Sequence, residues 1–147
     1  MPGRTETPGV SACTALRLRK AARRVSLIYD RHLEPHDLSI TQFGLLAQVE
    51  RLDGIGIGEL AEKLIMDPTT LTRNLRPLQQ RKLLVLAPDP NDRRSRTLHL
   101  TEAGRAALAE ARPAWARAQR QIDQAFGASD TAHLRDTLDR FLDRLAP

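Results

Sequence analysis

The sequence predicts a mainly α-helical fold with one small β-hairpin, and three observations lead to that prediction. Over most of the 147 residues, apolar side chains recur every three or four positions, which is the spacing of a helix face. Near residues 84–100 this period changes, and two strand-like runs flank a stretch rich in turn formers. Aromatic residues make up only 3% of the chain, so smaller apolar residues must build the core, as is typical of helical proteins.

The N-terminal third predicts two helices behind a tail. Residues 1–10 contain proline, glycine and threonine and predict a disordered tail. A first helix is expected over residues 12–33, with Pro35 breaking the pattern. Ser39 can cap a second helix, because Gln42 follows three residues later as in a capping box. Apolar residues of the first helix recur at helical spacing at Leu18, Ala22, Val25, Tyr29 and Leu33. The predicted buried face of the second helix is Phe43, Leu46, Ala47 and Val49.

Two short helices are predicted next. Three glycines at alternate positions make residues 53–58 a loop, and the run lacks the Lys-Ser/Thr pair of a nucleotide-binding loop. A short helix around residues 60–64 is followed by a turn. Asp67 and Pro68 then begin a new helix, because Asp caps free backbone N–H groups and Pro has none to satisfy. The buried stripe of this helix is Leu71, Leu75 and Leu78.

A hairpin follows these helices. Its strands are expected at residues 84–86 and 97–100, joined by the turn formers of residues 88–92. Two short helices joined by a tight turn and followed by a hairpin make a winged helix-turn-helix. The second helix of such a unit enters the major groove of DNA. The sequence therefore predicts a winged helix-turn-helix.

Two long amphipathic helices are predicted at the C-terminal end. Thr101 can cap a helix that ends near Phe126, and a final helix is expected from Asp130. Helices at both ends of the chain need a partner for their apolar faces, which favours dimerisation. The prediction is one compact domain in four sections: a tail at 1–10, N-terminal dimerisation and support helices at 11–53, the DNA-binding lobe at 54–101, and C-terminal dimerisation helices at 102–147.

The predicted recognition helix carries the side chains that read DNA. Arg pairs with guanine, Asn pairs with adenine, and Thr contacts a thymine methyl or a phosphate. Because first-turn residues lie deepest in the groove, Thr69, Thr70 and Arg73 are the favoured base contacts. The full predicted set is Thr69, Thr70, Thr72, Arg73, Asn74 and Arg76.

The hairpin carries a cluster of cations. Arg93, Arg94 and Arg96 lie within four positions, and projecting arginines suit phosphates and the narrow minor groove. The chain has a net charge of +5, and residues 67–105 contain eight cations against four anions. Most of the positive excess therefore lies on the predicted binding elements, which indicates double-stranded DNA as the partner.

Residues 89–105 resemble the wing signature of the MarR (multiple antibiotic resistance regulator) family of winged helix-turn-helix transcriptional regulators. The pattern D-x-R-x-x-x-L-x-L-T-x-x-G is matched at Asp92, Arg94, Leu98, Leu100, Thr101 and Gly104. The resemblance also covers residues 58–84 and the order of the helices at both ends. It implies a homodimer on a palindromic operator, held together by the first, penultimate and last helices. It further implies that Arg94 enters the minor groove and that Asp92 braces the wing arginines.

Two positions depart from the family pattern. Lys82 stands where relatives usually have a glycine after the recognition helix, so the end of this helix is expected to be built differently. Pro77 lies inside the predicted recognition helix, where it removes one backbone hydrogen bond. Local distortion is therefore expected around residues 73–77.

Effector control follows from the resemblance, because such regulators often leave DNA when a small molecule binds. Tyr29 and Phe43 are candidate pocket walls, although core packing explains both equally well. Cys13, the single cysteine, is a candidate oxidant sensor near the start of the first helix, or simply a small residue at a helix start. For Trp115, packing in the core or in a dimer is favoured over a role as an effector platform.

Several other classes are not expected. His32 and His36 are interpreted as a loop pair without a metal, since Pro35 separates them and no further ligands are evident. No cofactor motif or catalytic arrangement is found, so an enzyme is not expected. No apolar run approaches the about 18 residues of a membrane span, and residues 1–10 lack the apolar stretch of a signal peptide, so a soluble cytoplasmic protein is expected.

The predicted function is a sequence-specific transcriptional regulator, with repression as the expected mode and a small molecule or an oxidant as the releasing effector. Two alternatives stay open at this point. The first is DNA binding without effector control. The second is a helical protein-interaction module, which would explain the amphipathic ends but not the arginine-rich wing.

Overall fold

A computed structural model of the protein describes residues 9–147. Of the tail predicted at residues 1–10, residues 1–8 lie outside the described part of the chain. Short 3-10 turns occupy Val10–Ala12 and Glu34–His36. The mainly helical fold with one hairpin is confirmed. The helices and strands in chain order are α1 Thr14–Leu33, α2 Ile40–Arg51, β1 Ile55–Gly56, α3 Ile57–Lys63, α4 Pro68–Gln80, β2 Leu84–Asp89, β3 Asp92–Leu100, α5 Glu102–Phe126 and α6 Ala128–Arg144.

The junction of α1 and α2 is built as the sequence predicts. α1 ends before Pro35, and the turn that follows closes with Asp37 in the left-handed region at φ 53°. The hydroxyl of Ser39 then accepts the N–H of Gln42 at 3.1 Å, while the Gln42 side chain accepts the N–H of Ser39 at 3.0 Å. This reciprocal pair is the predicted capping box, and it fixes where α2 begins.

The loop predicted at residues 53–58 is wrong in part. Ile55 and Gly56 form β1, which pairs antiparallel with Leu98 and Thr97 of β3, and α3 begins directly afterwards. The partner strand lies some forty positions further along the chain, and nothing local in a glycine-rich run reveals such a pairing. The result is a three-stranded antiparallel sheet in the order β1–β3–β2.

The strands of the hairpin are longer than predicted. β2 continues through Pro88 to Asp89, and β3 begins at Asp92, so the predicted turn at residues 88–92 is reduced to its tip. β2 lies at the edge of the sheet, where a proline costs little because its missing N–H would face outward. The register shifts at Pro88/Asp89, which is the irregularity expected at such a site.

The C-terminal helices agree with the sequence except at one boundary. The hydroxyl of Thr101 accepts the N–H of Gly104 at 3.0 Å and caps α5, as predicted. α6 begins at Ala128, two residues before the predicted Asp130. Gly127, at φ 98°, separates the two helices, because few side chains tolerate that backbone conformation.

The end of α4 overturns the expectation for Lys82. Lys82 adopts the left-handed conformation at φ 57°, as a glycine would. The N–H of Leu83 bonds the carbonyl of Leu78 at 2.9 Å, and the N–H of Lys82 bonds that of Gln79 at 2.9 Å. These two bonds form a complete Schellman motif, so the motif is kept at the cost of backbone strain. α4 is continuous through Pro77, and the local distortion expected there stays a prediction.

The core lies where α2, α4 and α5 meet the inner face of the sheet. Its centre is made of fully buried leucines, and α1 adds Tyr29 and Leu33 at one end. In contrast, α1 and α6 leave large apolar side chains exposed, among them Leu18, Val25 and Phe141. Within residues 9–147, no helix has both the length and the apolar character to span a membrane.

Candidate nucleic-acid interface

The start of α4 is held rigidly. One carboxylate oxygen of Asp67 accepts the backbone N–H groups of Thr69 at 3.0 Å and Thr70 at 3.2 Å. This N-cap fixes the first turn of the helix, and Pro68 occupies its first position. The predicted inner stripe of Leu71, Leu75 and Leu78 is fully buried. The opposite face of α4 is therefore presented to solvent in a defined orientation.

The six predicted contact residues on α4 divide into two groups. Thr69, Thr70, Arg73 and Arg76 are exposed, and their side chains make no hydrogen bond or ion pair within the part of the chain described. Thr72 is exposed, but its hydroxyl already donates to the carbonyl of Pro68 at 2.9 Å. Asn74 is half-buried, with its amide nitrogen 3.8 Å from the sulfur of Met66. The first group is thus free for an outside partner, whereas the second is partly engaged.

The wing presents its arginines without carboxylate partners. Arg93, Arg94 and Arg96 are all exposed on β3, and none of them forms an ion pair within residues 9–147. Because no neighbouring anion neutralises them, their charges are available to the phosphates or the minor groove of a nucleic acid.

The side chain of Asp92 contacts the next residues of the wing. One carboxylate oxygen accepts the N–H of Arg94 at 3.0 Å, and the other accepts the hydroxyl of Ser95 at 2.9 Å. The Arg94 N–H, with a smaller contribution from Ser95, lowers the pKa of Asp92 below its ordinary value. The geometry gives the predicted bracing a specific form: Asp92 holds the turn from which Arg94 projects and leaves the guanidinium group free.

The base of the wing contains a cluster of three polar residues that sequence reasoning did not single out. The imidazole of His99 lies between Asp53, at 2.9 Å, and the hydroxyl of Thr97, at 2.8 Å. The sequence places His99 on the outer side of the second strand, but its contact with Asp53 depends on the unpredicted strand β1. A polar residue beside the glycine-rich loop was the only signal available.

Tyr29 and Phe43, the candidate effector-pocket walls, are both buried. Their rings stack on Trp115, with centroid separations of 6.5 and 6.0 Å. The hydroxyl of Tyr29 donates to Gln119, and burial, followed by the nearby Asp123, raises the pKa of that hydroxyl. Trp115 thus packs against the core, as predicted, yet it remains 37% exposed.

A surface depression of about 450 Å³ lies between the C-terminal part of α1 and the start of α2. Asp30 and Arg31 of α1 and Gln42 of α2 contribute to its lining, whereas the Tyr29 and Phe43 side chains do not. The carboxylate of Asp30 also accepts the first N–H of α2, from Ile40, at 2.7 Å. The depression therefore sits on the junction that connects α1 to α2.

The remaining candidates lie apart from the wing. Cys13 is exposed at the position preceding α1. His32 is not in a loop, as the sequence suggested: it lies in α1, with Nε2 2.8 Å from the side chain of Gln121 in α5. The helix extends to Leu33 because Pro35 interrupts helical structure only from the residue before it onward. Among residues 9–147, no three metal-ligating side chains cluster.

Comparisons with known proteins agree with this geometry. A sequence model of the MarR family matches residues 38–95. The transcriptional regulator SarZ of Staphylococcus aureus is 31% identical over 78 residues, which is 53% of each chain, so the match spans about half the length of that curated relative. The structure of the M. tuberculosis transcriptional regulator MosR in complex with DNA is 33% identical, covers 88% of this chain and 92% of that one, and superposes with a TM-score of 0.79. The transcriptional repressor CouR, solved on a 23-mer DNA duplex, is 28% identical over 90% and 94% of the two chains, with a TM-score of 0.81.

Proposed function

The chain belongs to the MarR family, and from that premise we propose that it is a sequence-specific DNA-binding transcriptional regulator, acting as a homodimer on a palindromic operator. Repression is the proposed mode, and the cytoplasm is the proposed location. The proposal takes DNA as the partner because MosR and CouR, the relatives described above, were solved with DNA bound.

One observation carries the proposal: the exposed face of α4 and the wing both present side chains that no other described group engages. Arg73 and Arg76 on the helix suit base edges or phosphates, and Thr69 and Thr70 lie at its capped first turn. Arg94 on the wing suits the minor groove. An enzyme or a structural module has no evident use for this combination of a fixed helix and a cationic hairpin.

The homodimer is supported by apolar surface on the terminal helices. Phe141 and Leu142 of α6 are exposed, as is Leu145, which caps the end of that helix. Leu18 and Val25 of α1 are also exposed. Exposed apolar stripes of this kind mark a protein interface. A second copy would cover them and would place two recognition helices about one DNA turn apart.

Effector control is proposed on the Trp115 stack and the depression between α1 and α2. The stack joins α1 and α2 to α5, and the depression lies at the junction of α1 and α2. A ligand that favours one arrangement of these helices would shift the spacing of the recognition helices. An oxidant acting at the exposed Cys13 is the other proposed route. Trp115 is the single tryptophan of the chain, so its fluorescence reports directly on candidate ligands.

The deciding experiment measures binding to DNA from the protein's own upstream region across a salt series. We expect Arg94→Ala to weaken specific binding by about tenfold or more and to reduce the salt slope by about one. Arg120→Ala, which removes an exposed arginine from α5, is the matched control and should change neither.

Binding that is indifferent to sequence, and equal in the two arginine variants, would reject the regulator. That result would favour the helical protein-interaction module instead. Tight, selective binding without any response to candidate ligands or peroxide would leave DNA binding in place and remove the effector.

A further inference from the structure

We propose that His99 is a positioning residue for the wing: with Asp53 and Thr97 it forms a side-chain clasp that fixes the direction in which the hairpin leaves the lobe. The proposal rests on the DNA-binding function proposed above, since it concerns how the wing arginines reach their target. Arg96 directly precedes Thr97 in β3, and Arg93 and Arg94 lie further toward the tip.

The clasp lies where the hairpin loses lateral support. β1 pairs with β3 only at Leu98 and Thr97, and it ends at Gly56, opposite Thr97. From Arg96 to the tip, β3 is paired with β2 alone. A two-stranded ribbon in water is only marginally stable by itself. Thr97 is therefore the hinge of the wing, and whatever holds Thr97 sets the wing's orientation.

Three contacts hold this hinge. Asp53, in the loop between α2 and β1, lies 2.9 Å from Nδ1 of His99, and Nε2 of His99 lies 2.8 Å from the hydroxyl of Thr97. The same hydroxyl lies 3.4 Å from the carbonyl oxygen of Ala87 in β2. Thr97 is only 8% exposed. The chain of contacts thus ties the loop that carries β1 to both strands of the hairpin at one level.

The number of hydrogen bonds that the clasp can make depends on the charge of the His99 imidazole. A neutral imidazole has one N–H. If Nδ1 donates it to Asp53, Nε2 must accept from the Thr97 hydroxyl, which then cannot donate to Ala87. When the imidazole is protonated, both ring nitrogens donate, and the Thr97 hydroxyl is released to bond the Ala87 carbonyl. All three contacts are therefore satisfied together only when His99 carries a proton.

Among the residues that the structure describes, one charged group contacts His99 directly. Asp53 is the carboxylate in contact with it. Arg51 of α2 and Glu59 of α3 line the same surface depression as Asp53. On β2, the residue opposite His99 is the uncharged Val85. Because a lower pH favours the protonated imidazole, all three contacts should be better satisfied at pH 6 than at pH 8.

The test compares wild type, His99→Ala and Asp53→Asn at pH 6 and pH 8, with His133→Ala as the control. His133 is exposed on α6, away from the hairpin. The first measurement is hydrogen exchange of the wing amides, residues 89–97, in the full chain without DNA. At pH 6 each clasp variant should exchange about three- to tenfold faster than wild type, the range for one lost hydrogen bond. The control should match wild type at both pH values.

The second measurement is the affinity for operator DNA. Wild type and His133→Ala should bind more tightly at pH 6 than at pH 8, by about three- to tenfold. In His99→Ala and Asp53→Asn this ratio should shrink toward the common background. Equal wing exchange and equal pH ratios in all four proteins would overturn the clasp. Faster exchange in the clasp variants, in a protein that binds no operator, would keep the clasp and reject the regulator.

Discussion

At the scale of single residues, Gly104 shows why the wing signature ends in a glycine. The first turn of α5 lies directly on the segment that joins α4 to the hairpin. A Cβ atom on Gly104 would stand 1.9 Å from the carbonyl oxygen of Leu83 and 2.9 Å from its carbonyl carbon. The N–H of Thr101 also bonds that carbonyl at 3.1 Å, so the backbone there has little freedom to retreat.

We therefore expect Gly104→Ala to lower the free energy of unfolding by about 3 kcal/mol, the upper range for forced overpacking. Gly44→Ala is the matched control, because nothing lies within 4 Å of the added atom and Gly44 is inside a helix. That change should raise stability by about 0.5–1 kcal/mol. Urea unfolding at equal protein concentration measures both, and a Gly104→Ala protein as stable as wild type would contradict the packing described.

Asp92 provides a contrast in pH dependence to His99. Because hydrogen bonds lower the pKa of Asp92 in the folded protein, its bracing contribution is fully present above the ordinary carboxyl pKa of about 4. It is lost only as the pH falls through the lower value of the folded state. Asp92→Ala should therefore speed exchange of the Arg94 amide by the same factor at pH 6 and pH 8, whereas the effect of His99→Ala should be larger at pH 6. A pH-dependent factor for Asp92→Ala would place another titrating group at the tip.

At the scale of elements, α4 combines a favourable proline with an unfavourable one. Pro68 at the first helical position suits the helix, while Pro77 removes an interior hydrogen bond. Since both are exposed, their packing contributes little. Comparing substitutions of the two prolines therefore isolates the effect of a proline on the helix backbone from changes in side-chain packing.

Pro77→Ala should raise the free energy of unfolding by about 2 kcal/mol, because about 3 kcal/mol of helix strain is removed and about 1 kcal/mol is lost through a freer unfolded chain. Pro68→Ala has only the second effect and should lower stability by about 0.4–1 kcal/mol. Thermal unfolding of the two variants gives the signs. Equal signs would mean that Pro77 already sits in a helix relaxed around it.

The elements also show what could be predicted from sequence. The capping box at Ser39, the Asp67-Pro68 helix start and the Thr101 cap depend on residues within one turn, and all three were predicted. β1 and the full length of the wing depend on pairing between segments far apart in the chain, so local patterns missed them. The clasp at His99 was missed for the same reason, because Asp53 approaches only after β1 joins the sheet.

At the scale of the whole molecule, contacts within one chain hold α4 and the hairpin in place, whereas the terminal helices keep exposed apolar surface. α4 and the hairpin hold their side chains through an N-cap, a buried leucine stripe and a three-stranded sheet, all within one chain. α1 and α6 instead leave apolar stripes uncovered. One copy can therefore build the proposed binding lobe, and in the proposed homodimer the partner that covers those helices would set the distance between the two lobes.

The proposed homodimer can be tested on α6. Phe141→Glu combined with Leu145→Glu places two charges on the exposed apolar stripe, and a stable dimer that buries about 800 Å² per partner there should not tolerate them. Sedimentation equilibrium should show a dimer for wild type and a monomer for the double variant. Asp136→Lys, a charge reversal on the polar side of α6, is the control and should remain dimeric.

The same three proteins then separate assembly from recognition. On a palindromic operator, the monomeric double variant should bind far more weakly than wild type, because it loses the joint action of two linked lobes. On DNA with a single half-site the gap should narrow, since each lobe keeps its own α4 and wing. A wild type that sediments as a monomer, or a double variant that stays dimeric and binds as tightly, would reject α6 as the element that sets the spacing of the two lobes.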